Sequence, residues 1–192
     1  AIFEFQTMVC QLTGMEVANA SLYDGSTALA EAVLMALRVN KGRTRVVLAS
    51  SAHPHYRAVV ATYLKTLGVD LVNAAYGEDG RLDLEAAAID KNTAAVVVQS
   101  PNFFGCVEDL DAIGRAAHDQ GALFVVGVAE ATSLGLLRAP GDADADIVCG
   151  EGQPLGVPLS SGGPYFGFLT TRLEHVRQMP GRLIGRTVDA DG

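Results

Sequence analysis

The chain has 192 residues, 49% of them hydrophobic, with 14 Lys plus Arg against 22 Asp plus Glu and a formal charge of −8. That length suits one ordinary domain whose core needs no disulfide or metal staple, and the apolar fraction excludes intrinsic disorder. The acidic balance argues against nucleic acid or an anionic membrane surface as partner, and no apolar run reaches the ~20 residues of a membrane span.

In chain order, Ile2, Phe3, Phe5, Met8, Val9 and Leu12 keep a helical period that Gly14 ends. Val17 to Leu22 forms a short segment, and Asp24 is placed to cap a helix that is strong from Ala28 to Val39. Strands and helices then alternate. Arg45 to Ala49 reads as a buried strand, Pro54 to Leu67 as a helix with proline in its first turn, and Val69 to Ala74 as a strand. Asp83 to Asp90 reads as a short helix, Ala94 to Gln99 as a strand, Glu108 to Gln120 as a helix and Ala122 to Val128 as a strand. Asp146 to Cys149 is short and β-like, Leu159 to Gly163 a loop, Tyr165 to Thr170 a strand and Arg172 to Met179 a last helix. Continuously apolar strands separated by helices predict an α/β fold: three layers, with a mostly parallel sheet covered on both faces.

The start, AIFEFQTMVC, has neither the basic residues nor the cleavage site of a signal peptide. Cys10, Cys106 and Cys149 are odd in number and far apart, which suits buried free thiols in a reducing cytoplasm. Trp is absent and aromatics are 6% of the chain, so base-stacking platforms are not expected.

Ligands of open α/β sheets sit beyond the C-terminal ends of the strands. Four loops qualify there: Asp24 to Ala28, Ser50 to His55, Ser100 to Gly105, and Gly150 to Pro154. The first is either a capped helix start or an anion site. His53 and His55, two apart, would point the same way on a strand end, but two nitrogens with no nearby third ligand suit a polar loop better than a metal. Asn102 either binds a ligand or holds its turn open. Gly150, Gly152 and Gly156 miss the dinucleotide spacing by one residue, and Ala131 to Gly135 lacks the first glycine of a nucleophile elbow. The three lysines, Lys41, Lys65 and Lys91, all fall away from strand C-termini and read as surface charge.

The segments NASLYDGSTALAEA, SSAHPHYRAV, VVVQSPNFFG, GEGQPLGVPLSSGGPYFGF and MPGRLIGRTVDADG resemble the P-protein of the glycine cleavage system, in particular its subunit 1 in organisms where the enzyme is split in two. The resemblance covers essentially the whole chain. It implies the large domain of a pyridoxal-phosphate-dependent transferase of the aspartate aminotransferase type, occupying residues 1–170, with 171–192 beginning the connection to a C-terminal domain. N-terminal helices and that C-terminal domain are expected to lie outside this sequence. The implied reaction is decarboxylation of glycine with transfer of the aminomethyl group to the lipoyl arm of H-protein, the cofactor acting as electron sink. At the position of the Schiff-base lysine this chain has Gln153, and at that of the pyridine-pairing Asp it has Gly127. An amide cannot form an imine. The resemblance therefore implies that pyridoxal phosphate is carried by subunit 2, and that this chain is a cytoplasmic, non-cofactor-bearing partner. His53 matches the ring-stacking histidine of the catalytic subunit, and with Asn102 it would line a degenerate pocket. Ser160, Ser161, Gly162, Gly163 and Tyr165 match the loop that reaches a neighbour's cofactor phosphate, the alternative being a glycine-rich structural turn. No residue of this chain is assigned a catalytic or metal-binding role, and a scaffold that only stabilises or docks partners is the rival reading.

Overall fold

In the computed structural model, which describes residues 1–191, the chain alternates helices and strands as α1 (Ile2–Thr13), β1 (Val17–Ala18), α2 (Gly25–Val39), β2 (Arg45–Ala49), α3 (Pro54–Leu64), β3 (Asp70–Ala74), α4 (Leu84–Ala87), β4 (Thr93–Gln99), α5 (Leu110–Asp119), β5 (Leu123–Val128), β6 (Ile147–Glu151) and β7 (Gly167–Thr171). Gly192, the last residue of the expected connecting segment, lies outside the described residues.

The strands form one seven-stranded sheet in the order β1-β7-β6-β5-β4-β2-β3. The pairs β3/β2, β2/β4, β4/β5 and β5/β6 are parallel; β7 runs antiparallel to both β6 and β1. The strand alternation sorts side chains onto two faces. Val46, Leu48, Val97, Val125 and Cys149 meet α2 and α3, while Val47, Ala49, Val96, Val98, Phe124 and Val126 meet α1 and α5. That is the three-layer arrangement predicted, with every residue of β4, β5, β6 and β7 buried.

Local chemistry sets the boundaries. Asp24 accepts from the N–H groups of Ser26 and Thr27 while Thr27 Oγ1 accepts from the Asp24 N–H, a complete capping box that starts α2. Gly14 ends α1 at φ 69°. Several boundaries differ from the sequence reading. The helix expected from Pro54 ends at Leu64, and the one expected over 83–90 is a single turn that stops where Ala88 turns left-handed at φ 44°. The strand expected at 165–170 starts at Gly167, and β6 continues two residues past Cys149, to Glu151. The last predicted helix is a 3-10 segment, Leu173–Gln178, which buries no residue and so has no packed face to hold an α-helix. Three further 3-10 turns, at Ala131–Gly135, Pro140–Ala143 and Gln153–Leu155, carry no periodic signature. Among the described residues no helix is long and apolar enough to cross a membrane.

Candidate functional site

Because β3 lies outside β2 and β4 returns on its other side, the strand order reverses between β2 and β4. In an open α/β sheet that reversal opens a crevice at the carboxyl edge. His53 and Asn102 both lie there, one after β2 and one after β4.

The crevice is stitched across. The His53 N–H donates to Gln99 Oε1 at 2.8 Å and the Phe103 N–H donates to the Ser51 carbonyl at 2.8 Å. Asn102 is 4% exposed and uses its whole amide internally. Its Nδ2 donates to the Gly80 carbonyl and Glu108 Oε1, each at 2.8 Å, and its Oδ1 accepts from the Phe104 and Cys106 N–H groups. Two donors and two lone pairs are then spent, so of the two readings of Asn102 the geometry leaves the one that holds the turn.

His53 is not on a strand end: it caps α3, its Nδ1 accepting from the His55 N–H at 3.1 Å. Its ring centroid lies 5.2 Å from each of His55, Tyr56 and Phe103, and the ring series continues through Phe104 to Tyr76. Burial, with His55 second, lowers the His53 pKa below the usual value. The His53 ring thus lies among the chain's own rings. This aromatic line was missed because composition averages over the chain what the fold gathers at one edge.

Glu108 and Glu151 were missed as well, and both are buried carboxylates. Glu108, 4% exposed, accepts from Ser51 Oγ, Asn102 Nδ2 and the Leu82 N–H, and so ties three loops together. Glu151 ends β6 and accepts from the N–H groups of Gly25 at 2.9 Å, Gln153 at 3.0 Å and Phe166 at 3.2 Å. The loop read as a possible anion site is therefore a capped helix start: Gly25 serves Glu151, and Ser26 and Thr27 serve Asp24.

Gln153 sits in the 3-10 turn after β6, its amide donating to the Val157 carbonyl. Gly127 lies mid-sheet, where a β-carbon would meet Leu29 of α2 at 3.4 Å. Lys41, Lys65 and Lys91 are all exposed. Of the cysteines Cys149 alone is fully buried, and burial pushes its thiol well above the ordinary range; Cys10 and Cys106 are half-buried.

The residues of this crevice do not fit pyridoxal phosphate. At the two positions that the resemblance assigns to the cofactor, Gln153 supplies no amine and Gly127 no carboxylate, and the N–H groups opening α2 are engaged by side chains.

Ser160 to Tyr165 project from the same edge between β6 and β7, with Leu159 70% and Tyr165 51% exposed. Ser160, Ser161, Gly162 and Gly163 all have positive φ, from 41° to 151°. The Gly162 and Gly163 N–H groups both turn inward onto the Leu159 carbonyl at 2.9 Å, so they do not present the anion cradle expected of them. What this loop offers outward are the side chains of Ser160, Ser161 and Tyr165, all exposed.

Comparison with known proteins covers the whole chain. The family described as "Glycine cleavage system P-protein" matches residues 1–192. A probable glycine dehydrogenase (decarboxylating) subunit 1 of Thermotoga maritima is 57% identical over 192 residues, which are 100% of this chain and 43% of that protein. A crystal structure of glycine decarboxylase (P-protein) of the glycine cleavage system in inhibitor-bound form superposes with TM-score 0.94 at 50% identity, covering 100% of this chain and 43% of that one. The apo structure of a cysteine desulfurase from Thermococcus onnurineus NA1, 24% identical with TM-score 0.70 over 100% of this chain and 48% of that one, shares the fold. The fold is that of the large domain of pyridoxal-phosphate-dependent transferases, and the chain spans less than half the length of the relatives it matches.

Proposed function

Since the chain belongs to the glycine cleavage system P-protein family, we propose that it is part of a subunit 1 which serves glycine decarboxylation without carrying the cofactor itself. In this reading residues 1–170 are the large domain and the segment from 171 begins the connection to a C-terminal domain. Subunit 2 holds pyridoxal phosphate, which supplies the sink for the electrons released on decarboxylation. The lipoyl arm of H-protein takes the aminomethyl group, and the assembly works in the cytoplasm. This chain contributes a wall: Ser160, Ser161 and Tyr165 reach toward the partner's site, with Gly162 and Gly163 shaping the turn.

The observation that carries the reading is the contrast at one edge of the sheet. The chain's own crevice is stitched shut and its helix-start donors are engaged, whereas the loop beside it is exposed and hydroxyl-bearing. One observation favours a scaffold instead: the inward-turned Gly162 and Gly163 N–H groups leave the loop without a backbone anion cradle.

The test is reconstitution of the full subunit with subunit 2 and H-protein, following glycine-dependent exchange of labelled carbon dioxide. A contribution to the site predicts that Tyr165→Phe and Ser161→Ala lower activity about tenfold or more, as loss of a hydrogen bond made at the reacting centre does, with the complex intact by light scattering. Unchanged activity for both variants would leave the scaffold reading.

A further inference from the structure

A buried carboxylate stands at the start of α2, where an anion bound at the helix N-terminus would need free N–H donors. Glu151 is 9% exposed and collects N–H groups from three separate segments: the first residue of α2, the turn after β6 and the residue before β7. Among the described residues no basic side chain pairs with it. Its charge is balanced by those N–H dipoles and by the positive end of a 15-residue helix. One residue earlier, Asp24 takes the next two N–H groups of the same helix at 2.8 and 2.9 Å. The Ala28 N–H is already in the helix, bonded to the Asp24 carbonyl. Space is closed too: a β-carbon on Gly25 would overlap the Tyr56 hydroxyl and come within 2.9 Å of Glu151 N.

We infer that Glu151 is the resident anion of this crevice, so that the chain excludes phosphate-bearing ligands by construction and not merely for want of a lysine. An incoming phosphate would meet two carboxylates and no free N–H. Replacing Gln153 by lysine therefore does not restore cofactor binding, while removing Glu151 exposes an anion site that the wild-type chain hides. This holds whether or not the chain completes a partner's active site.

The experiment uses the full subunit alone, as wild type, Glu151→Ala, Gln153→Lys and the double variant. Thermal melts are followed against inorganic phosphate, with sodium chloride at matched ionic strength as control. Pyridoxal phosphate uptake is read by internal-aldimine absorbance and borohydride trapping. Wild type and Gln153→Lys are expected to show no saturable phosphate stabilisation and no aldimine. Glu151→Ala is expected to melt lower and to regain a saturable part of the loss with phosphate but not with chloride. Two results would overturn the inference: an aldimine in Gln153→Lys alone, or phosphate stabilising wild type as much as Glu151→Ala. If Glu151→Ala does not fold, Glu151→Ser carries the same comparison, and the Gln153→Lys spectrum decides independently. No arm uses subunit 2, so the outcome stands apart from the reconstitution result.

Discussion

The Asn102 amide donates to the Glu108 carboxylate at 2.8 Å within the loop after β4, and the same carboxylate fastens that loop to the loops after β2 and β3 by accepting from Ser51 Oγ and the Leu82 N–H. Glu108 gathers a hydroxyl, an amide and a backbone N–H, and its own N–H faces Ser100 Oγ at 3.3 Å. The exposed Phe103 and Phe104 ride on the loop so held. The carboxylate thus positions the loop that carries the aromatic line.

Glu108→Ala leaves three buried donors without an acceptor. A loss of about 3 kcal/mol or more is expected, since each orphaned group costs roughly 1–3 kcal/mol. Glu108→Gln keeps one oxygen for Ser51 and Asn102 but turns an NH2 toward the Leu82 N–H, so a smaller loss of about 1–2 kcal/mol is expected. Urea denaturation of the full subunit reads both; equal stabilities for wild type and Glu108→Ala would show that the network carries no energy.

The α2 cap makes stability depend on acid. Burial works against ionisation of Asp24, but hydrogen bonds from Ser26 and Thr27 outweigh it and hold the carboxyl below its usual range. The folded value being the lower one, the contribution is present above the unfolded value near ~3.9 and lost as pH falls through the folded value. Asp24→Asn should flatten that part of the stability–pH curve, and Asp24→Ala should cost about 1 kcal/mol at neutral pH. A denaturation series from pH 2 to 7, covering roughly this carboxylate window, checks both.

Much of this fold is legible because its strands are unusually plain. Val46 to Ala49, Ala94 to Val98 and Leu123 to Val128 hold no polar side chain, and Asp24, Gly14 and Pro54 punctuate helices by mechanisms that act locally. The departures are non-local. Glu151 in sequence is one acid among glycines, and its meaning comes from Gly25 126 positions away. Asn102 looks like a ligand residue until Gly80 and Glu108 claim its amide. The inward turn of Gly162 and Gly163 follows from four consecutive positive-φ residues, a conformation that glycine content permits but does not specify. That position 153 carries an amide and no amine is visible directly, because it is a matter of identity and not of distance.

His53 should titrate low. Burial, and then the charge of His55 when protonated, lowers its pKa below the usual ~6.5. The unfolded chain then takes up the proton first, so this group's contribution to stability is complete above that value and is lost as pH falls through the folded one. Imidazole resonances followed by NMR should give His53 a lower midpoint than a model histidine, and His55→Ala should move it back up. A His53 midpoint that ignores His55→Ala would mean that the two rings do not share a field.

Gly25→Ala tests the closest approach in the crevice. The added methyl would overlap the Tyr56 hydroxyl and press on the Glu151 backbone at 2.9 Å. Overpacking of this kind costs about 1–3 kcal/mol, and a value near the top of that range is expected because one of the two obstacles is main chain. Tyr56→Phe removes the hydroxyl but not the Glu151 contact, so the double variant should regain only part of the loss. A denaturation cycle on wild type, Gly25→Ala, Tyr56→Phe and the double variant separates the two terms. Full recovery in the double variant would place the whole clash on the Tyr56 hydroxyl and show that the β6 end can move away from α2, whereas partial recovery fixes Glu151 as the rigid wall against which the helix begins.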